Sequence, residues 1–157
     1  MSDEREIQQV MAKYVRATDA RDGNALKALF TKDAKVQIFY NNPKPAELIG
    51  ELSGQDTIGS AVANMMKPHP ARGWSHHTTF DLIIEVNGNQ AKLSAQFIAY
   101  NIVGSAKPAG GWPKGASGAQ GSIMPIESGY YEPSFEKVAD VWKITHLRIL
   151  HDLPMAF

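Results

Sequence analysis

Between Glu4 and Thr18 the apolar residues fall at Ile7, Val10, Met11, Tyr14 and Val15, the i, i+3, i+4, i+7, i+8 spacing of one buried helical face. Tyr14 therefore points inward. Asp19 lies roughly 140° further round a 3.6-residue turn, at the margin of the stripe, so this carboxylate borders the interior. Asp22-Gly-Asn-Ala-Leu opens a second helix with Asp22 as N-cap and Leu26, Leu29 and Phe30 on its inner face. With Asp22 assigned to capping, Asp19 needs another reason for its place.

A strand follows from Lys35 to Tyr40, where Val36, Ile38 and Tyr40 alternate with Gln37 and Phe39. The prolines of Asn41-Asn-Pro-Lys-Pro exclude a central strand, and the segment through Gly50 and Gly54 reads as a loop leading to a third helix. Ser53-Gly-Gln-Asp56 has the form of a capping box, and Ile58, Val62, Met65 and Met66 make a helical stripe ending before Pro68. From Trp74 to Val86 the chain alternates, with Trp74, His76, Thr78, Phe80, Leu82, Ile84 and Val86 on the more apolar side. Asn87-Gly-Asn then turns it into a second long strand, Gln90 to Val103. Gly104 to Ser122 is rich in Gly, Ala, Ser, Lys and Pro, with Trp112 its single large residue, and reads as a flexible loop. Two last strands, Ile126 to Val138 and Val141 to Asp152, precede an apolar tail, Leu153 to Phe157. The plan is α+β: three N-terminal helices gathered on one face of a curved antiparallel sheet, enclosing a conical space whose mouth lies near the end of the first helix. The loop and the tail are expected at that mouth.

The chain has 157 residues, which suits a single domain over 1–157 that can enclose a core and a pocket. Sixteen basic residues balance sixteen acidic ones, with no run of either sign, so neither nucleic acid nor an anionic membrane is an expected partner. Cysteine is absent, which excludes disulfides, thiolate metal sites and cysteine nucleophiles. The acidic start Met-Ser-Asp-Glu-Arg-Glu and the lack of a long apolar stretch point to a cytoplasmic protein. No histidine pair has metal-ligand spacing, so neither a metal nor a cofactor is expected. Half-polar outer strands leave apolar side chains uncovered, which predicts a homo-oligomer, dimer or trimer.

Three patches resemble the nuclear transport factor 2-like fold, in the branch of scytalone dehydratase, bile-acid 7α-dehydratase and the SnoaL-like cyclases. They are Tyr14-x4-Asp19-x2-Asp22; His77-x3-Asp81 leading to Ile-Glu-Val-Asn-Gly-Asn; and Gly129-Tyr-Tyr131 leading to Phe135-Glu-Lys-Val-Ala-Asp-Val-Trp-Lys-Ile144. The resemblance implies that Asp19 and His77 act together, with Tyr14 and Tyr131 polarising a substrate carbonyl. The second histidine that scytalone dehydratase carries on the next strand has no counterpart around Ser94-Ala95-Gln96. Such a set fits a lyase or isomerase for a small, largely apolar cyclic substrate. The imidazole takes a proton beside a carbonyl, the carboxylate fixes its tautomer, and a buried phenol donates to the developing oxyanion. The other class this fold serves is non-catalytic, a ligand-binding module or a dioxygenase small subunit. His76 and His77 face opposite sides of their strand; apolar alternation turns His76 inward, whereas the resemblance selects His77. Arg148 shares the Trp142 and Ile144 face of the last strand and joins His76, Tyr131 and Phe97 as a substrate-binding candidate. His69 is expected to be exposed, and His151 and Asp152 to be structural.

Overall fold

The computed structural model describes residues 1–156. Helix α1 spans Asp3–Ala20, capped by the Ser2 hydroxyl, which accepts from the Arg5 amide, and ended by Arg21 in the left-handed conformation. Its predicted stripe is buried in full, as are Ala17, Thr18 and Asp19. Helix α2 spans Gly23–Lys27 and Asp22 caps it, accepting from the Ala25 amide. Strands β1 (Phe30–Tyr40) and β2 (Glu47–Ser53), helix α3 (Gln55–Ser60) with a wider helical turn at Ala61–Met65, and strands β3 (Gly73–Asn87), β4 (Gln90–Gly104), β5 (Gly121–Val138) and β6 (Val141–His151) complete the chain. No helix among the described residues is long and apolar enough to cross a membrane.

The six strands form one sheet in the order β2-β1-β6-β5-β4-β3, with the helices on its inner face, as the α+β reading expects. Three features differ from that reading. The sheet is mixed, because β1 runs parallel to β6 and antiparallel to β2. The segment read as a loop after the prolines contains β2, an edge strand that begins beyond them, where no central ladder needs their amides. Gly54, not Ser53, is the N-cap of α3 and no side chain caps the helix, so the Ser53 capping box does not form.

Bulges decide which side chains face inward. The β3–β4 register shifts between Phe80 and Ile83, where Asp81 takes a positive φ of 51°. Before the bulge Ser75, His77 and Thr79 are the more buried; after it Leu82, Ile84 and Val86 are. A second shift, opposite Thr145, moves the inner face of β6 from Trp142 and Ile144 to Leu147, Ile149 and His151. An extra residue reverses every later side chain. Alternation read as one unbroken run therefore misplaces residues on the far side of each bulge.

The core joins α1 to the inner sheet face through Ile7, Met11, Phe97, Phe135, Trp142 and Leu147, all essentially inaccessible. Asp3 anchors the start of α1 by accepting from Lys137 Nζ and Trp142 Nε1, each at 2.9 Å. The opposite end of the helix, carrying Asp19, is thereby set against β3.

Candidate active site

Asp19 is 5% exposed, and three donors from β3 converge on it. Ser75 Oγ donates to Oδ1 at 2.9 Å, the His77 amide donates to Oδ2 at 3.0 Å, and His77 Nδ1 lies 2.6 Å from Oδ1. Residues two apart on a strand share a face, so Ser75 and His77 reach the same carboxylate. Burial works to raise the Asp19 pKa, but the His77 ring and amide and the Ser75 hydroxyl outweigh it and hold the carboxylate below its ordinary range. With Nδ1 engaged, Nε2 is the His77 nitrogen left for chemistry.

His77 opens on a cavity of about 490 Å³ between the helices and the sheet. Its walls are mainly apolar, including Leu26, Val36, Ile58, Val62 and Ile149; its polar groups include Tyr14, Thr18, His77, Glu127, Tyr131 and His151. The Tyr14 and Tyr131 rings meet edge to face at 5.5 Å. Burial pushes both phenols up, so both stay protonated and able to donate at neutral pH. Asp19, His77, Tyr14 and Tyr131 are thus assembled as expected. Among the described residues no three His, Asp or Glu side chains are grouped to hold a metal ion.

Four other expectations are corrected. His76 is exposed, turned away from the cavity because the inward face of β3 is odd-numbered before the Asp81 bulge. Arg148 lies beyond the β6 bulge, where even-numbered residues face outward; it pairs with Glu132 Oε1 at 2.9 Å and stacks over Phe39. Phe97 is fully buried and stacked on Tyr131 at 4.3 Å, so it backs the cavity wall without lining it. His69 is half-buried, stacked on Trp74, with Nε2 in hydrogen-bond contact with the Asp19 carbonyl oxygen. Of the two segments expected at the mouth, the tail supplies Met155 to the lining and the Gly104–Ser122 loop supplies nothing.

The residues missed by sequence reasoning are Glu127 and His151. Both line the cavity, and His151 Nδ1 lies 2.6 Å from Glu127 Oε1. His151 was expected to be merely structural, yet the β6 bulge turns it inward. The one available signal was a histidine ending an apolar strand.

The family model described as a SnoaL-like domain matches residues 1–148. Among solved structures, a cystatin-like protein of unknown function from Nostoc punctiforme aligns with a TM-score of 0.69 at 18% identity, covering 98% of this chain and 93% of that one. A candidate scytalone dehydratase from Novosphingobium aromaticivorans aligns at 0.66 and 18% identity, covering 98% and 89%. The β subunit of a candidate aromatic-ring-hydroxylating dioxygenase from the same organism aligns at 0.69 and 14%, covering 96% and 90%. At these identities the structures share the fold with this chain. No curated protein matches the sequence.

Proposed function

We propose that this chain, which belongs to the SnoaL-like domain family, is a cofactor-independent lyase that removes a proton beside the carbonyl of a small, largely apolar cyclic substrate and expels a β-hydroxyl as water. The observation that carries this reading is the buried Asp19–His77 pair at 2.6 Å, opening on an apolar cavity that also presents Tyr14 and Tyr131. Nε2 of His77 is the general base. Asp19 fixes the tautomer and stabilises the imidazolium that forms. A buried phenol donates a hydrogen bond to the oxygen on which negative charge builds, an interaction that gains strength where water is excluded. Return of the proton to another carbon would make the same apparatus an isomerase. The volume of about 490 Å³ gives room for a bicyclic skeleton.

The alternative reading is a non-catalytic one, a ligand-binding module or a dioxygenase subunit such as the β subunit named above. An imidazole and a carboxylate buried together at the wall of an apolar cavity favour chemistry over packing, since desolvating them costs stability that apolar side chains would not, and such perturbed groups in clefts cluster at functional sites. A bicyclic β-hydroxy ketone of the decalone class tests the proposal, because dehydration yields a conjugated enone that absorbs in the ultraviolet. The wild-type protein should form the enone, and His77→Gln should slow it by about 100-fold or more. Equal rates in both would overturn the assignment of His77.

A further inference from the structure

We propose that Glu127 and His151 form a second histidine–carboxylate pair in the same cavity, and that His151 is the acid that protonates the departing hydroxyl. This rests on the lyase reading above and assigns the half of the reaction that His77 does not perform.

The two imidazoles neighbour the same aromatic ring. The centroid of Phe97 lies 6.4 Å from that of His77 and 5.9 Å from that of His151, and both histidines line the cavity. Nδ1 of His151 is sealed from solvent and makes no aligned hydrogen bond among the described residues; its close neighbour is Glu127 Oε1, at 2.6 Å but off the N–H axis. The contact is thus one of charge more than of direction, with the carboxylate set beside the ring. Burial works to raise the Glu127 pKa, and the contact and charge of His151, with a smaller contribution from His77, outweigh it and keep Glu127 ionised. The backbone holds the pair in place: a Cβ on Gly129 would come within 1.9 Å of the Leu150 carbonyl oxygen, so β5 and β6 approach closely beside both residues only because Gly129 has no side chain.

The two pairs differ in a way that separates their roles. Asp19 accepts from the ring, the backbone and Ser75, which fixes His77 as an oriented base with a free Nε2. Glu127 offers His151 a negative charge without that alignment, which suits a cation that gives up its proton. In the elimination, His77 Nε2 takes the α-proton and the C–H electron pair enters the enolate. The enolate collapses to the carbon–carbon double bond, and the C–O bond breaks with its pair on the hydroxyl. That oxygen takes the Nε2 proton of His151 and leaves as water. His77 ends protonated and His151 neutral, and one proton passed between them through solvent restores the starting state. Substrate is converted to enone and water with no other reactant.

The experiment separates the two halves. In deuterium oxide, decalone without a leaving group reports α-deuterium incorporation, which needs only the base; its β-hydroxy analogue reports enone formation, which needs both groups. Wild-type protein should do both, and His77→Gln neither. His151→Gln should keep α-exchange within a few-fold while losing elimination by about 100-fold, and Glu127→Gln should shift the same ratio in the same direction by a smaller factor. Elimination at the wild-type rate in His151→Gln would overturn the proposal and leave the lyase reading standing. Equal loss of exchange and elimination in both His151→Gln and Glu127→Gln would overturn it as well, showing that the pair only shapes the cavity. Absence of both reactions in the wild-type protein would bring down the lyase reading and this inference together.

Discussion

Asp19 holds His77 twice, with one carboxylate oxygen accepting from its backbone amide at 3.0 Å and the other meeting its ring Nδ1 at 2.6 Å. The backbone bond fixes where β3 meets the end of α1, and the ring bond fixes which nitrogen faces the cavity. Position and tautomer therefore depend on one side chain. Asp19→Asn keeps the shape but loses the charge that stabilises an imidazolium, so α-exchange is expected to fall by about 100-fold or more while the fold is retained. Kinetics together with circular dichroism would check both parts.

The same carboxylate makes stability depend on pH. Asp19 and Glu127 are both held below their ordinary values, 3.8 and 4.5, so across that window the unfolded chain binds more protons than the folded one. Their contribution is fully present at neutral pH, and it is lost as pH falls below these values through the lower folded-state pKa values. Urea denaturation between pH 7 and 3 should show stability falling on the acid side, with a shallower fall in Asp19→Asn. An unchanged slope would mean that Asp19 is not depressed in the folded state.

Tyr14 is buried with its phenol pushed up, so it stays neutral and able to donate throughout the working range. Tyr14→Phe is expected to slow turnover by about 10-fold, less than His77→Gln, because Tyr131 or water takes over part of its hydrogen bond. The cost in stability should be about 1 kcal/mol or less. A pH–rate profile should keep its shape in the variant; loss of a basic limb would contradict the neutral-donor role.

The bulge at Asp81 is what turns His77 inward. Its φ of 51° is tolerated by Asp and strains a β-branched residue, so Asp81→Val should destabilise the protein by about 1–2 kcal/mol, whereas Asp81→Gly should be near neutral. Both variants can be ranked by thermal unfolding. Equal effects would show that the left-handed conformation is not what the position demands.

Much of this arrangement was legible in the sequence because it rests on short-range spacing. The α1 stripe, the Asp22 cap and the hairpin at Asn87-Gly-Asn each follow from a local pattern, and Asp19 stood out once Asp22 was assigned to capping. What escaped depends on register between strands distant in sequence. Both bulges reverse an alternation that looks continuous in the chain, which is why alternation alone turns His76 and Arg148 inward and His151 outward, and why His77 is picked out only by the resemblance. Strand β2 escaped because Gly50 and the preceding prolines mask its short apolar pattern. The Glu127–His151 pair becomes visible only when β5 and β6 are laid side by side.

Trp74, Ile102 and Ile123 stand at one register level across β3, β4 and β5, and Ile123 is 71% exposed. An apolar row of this kind on an open sheet is expected to be covered by a second copy. Sedimentation at micromolar concentration should show an oligomer, and Ile123→Lys should shift it toward monomer. A monomeric wild-type protein would contradict the expectation.

If His77, held by Asp19, is a working base, it must remove a proton from carbon inside the cavity. Uptake of solvent deuterium at the α-carbon of decalone, followed by proton NMR, tests it without requiring a leaving group or knowledge of the natural substrate. Exchange should run well above the buffer rate with the wild-type protein and fall to near the buffer rate in His77→Gln with the chain still folded. Exchange that persists unchanged in His77→Gln would contradict that role for His77.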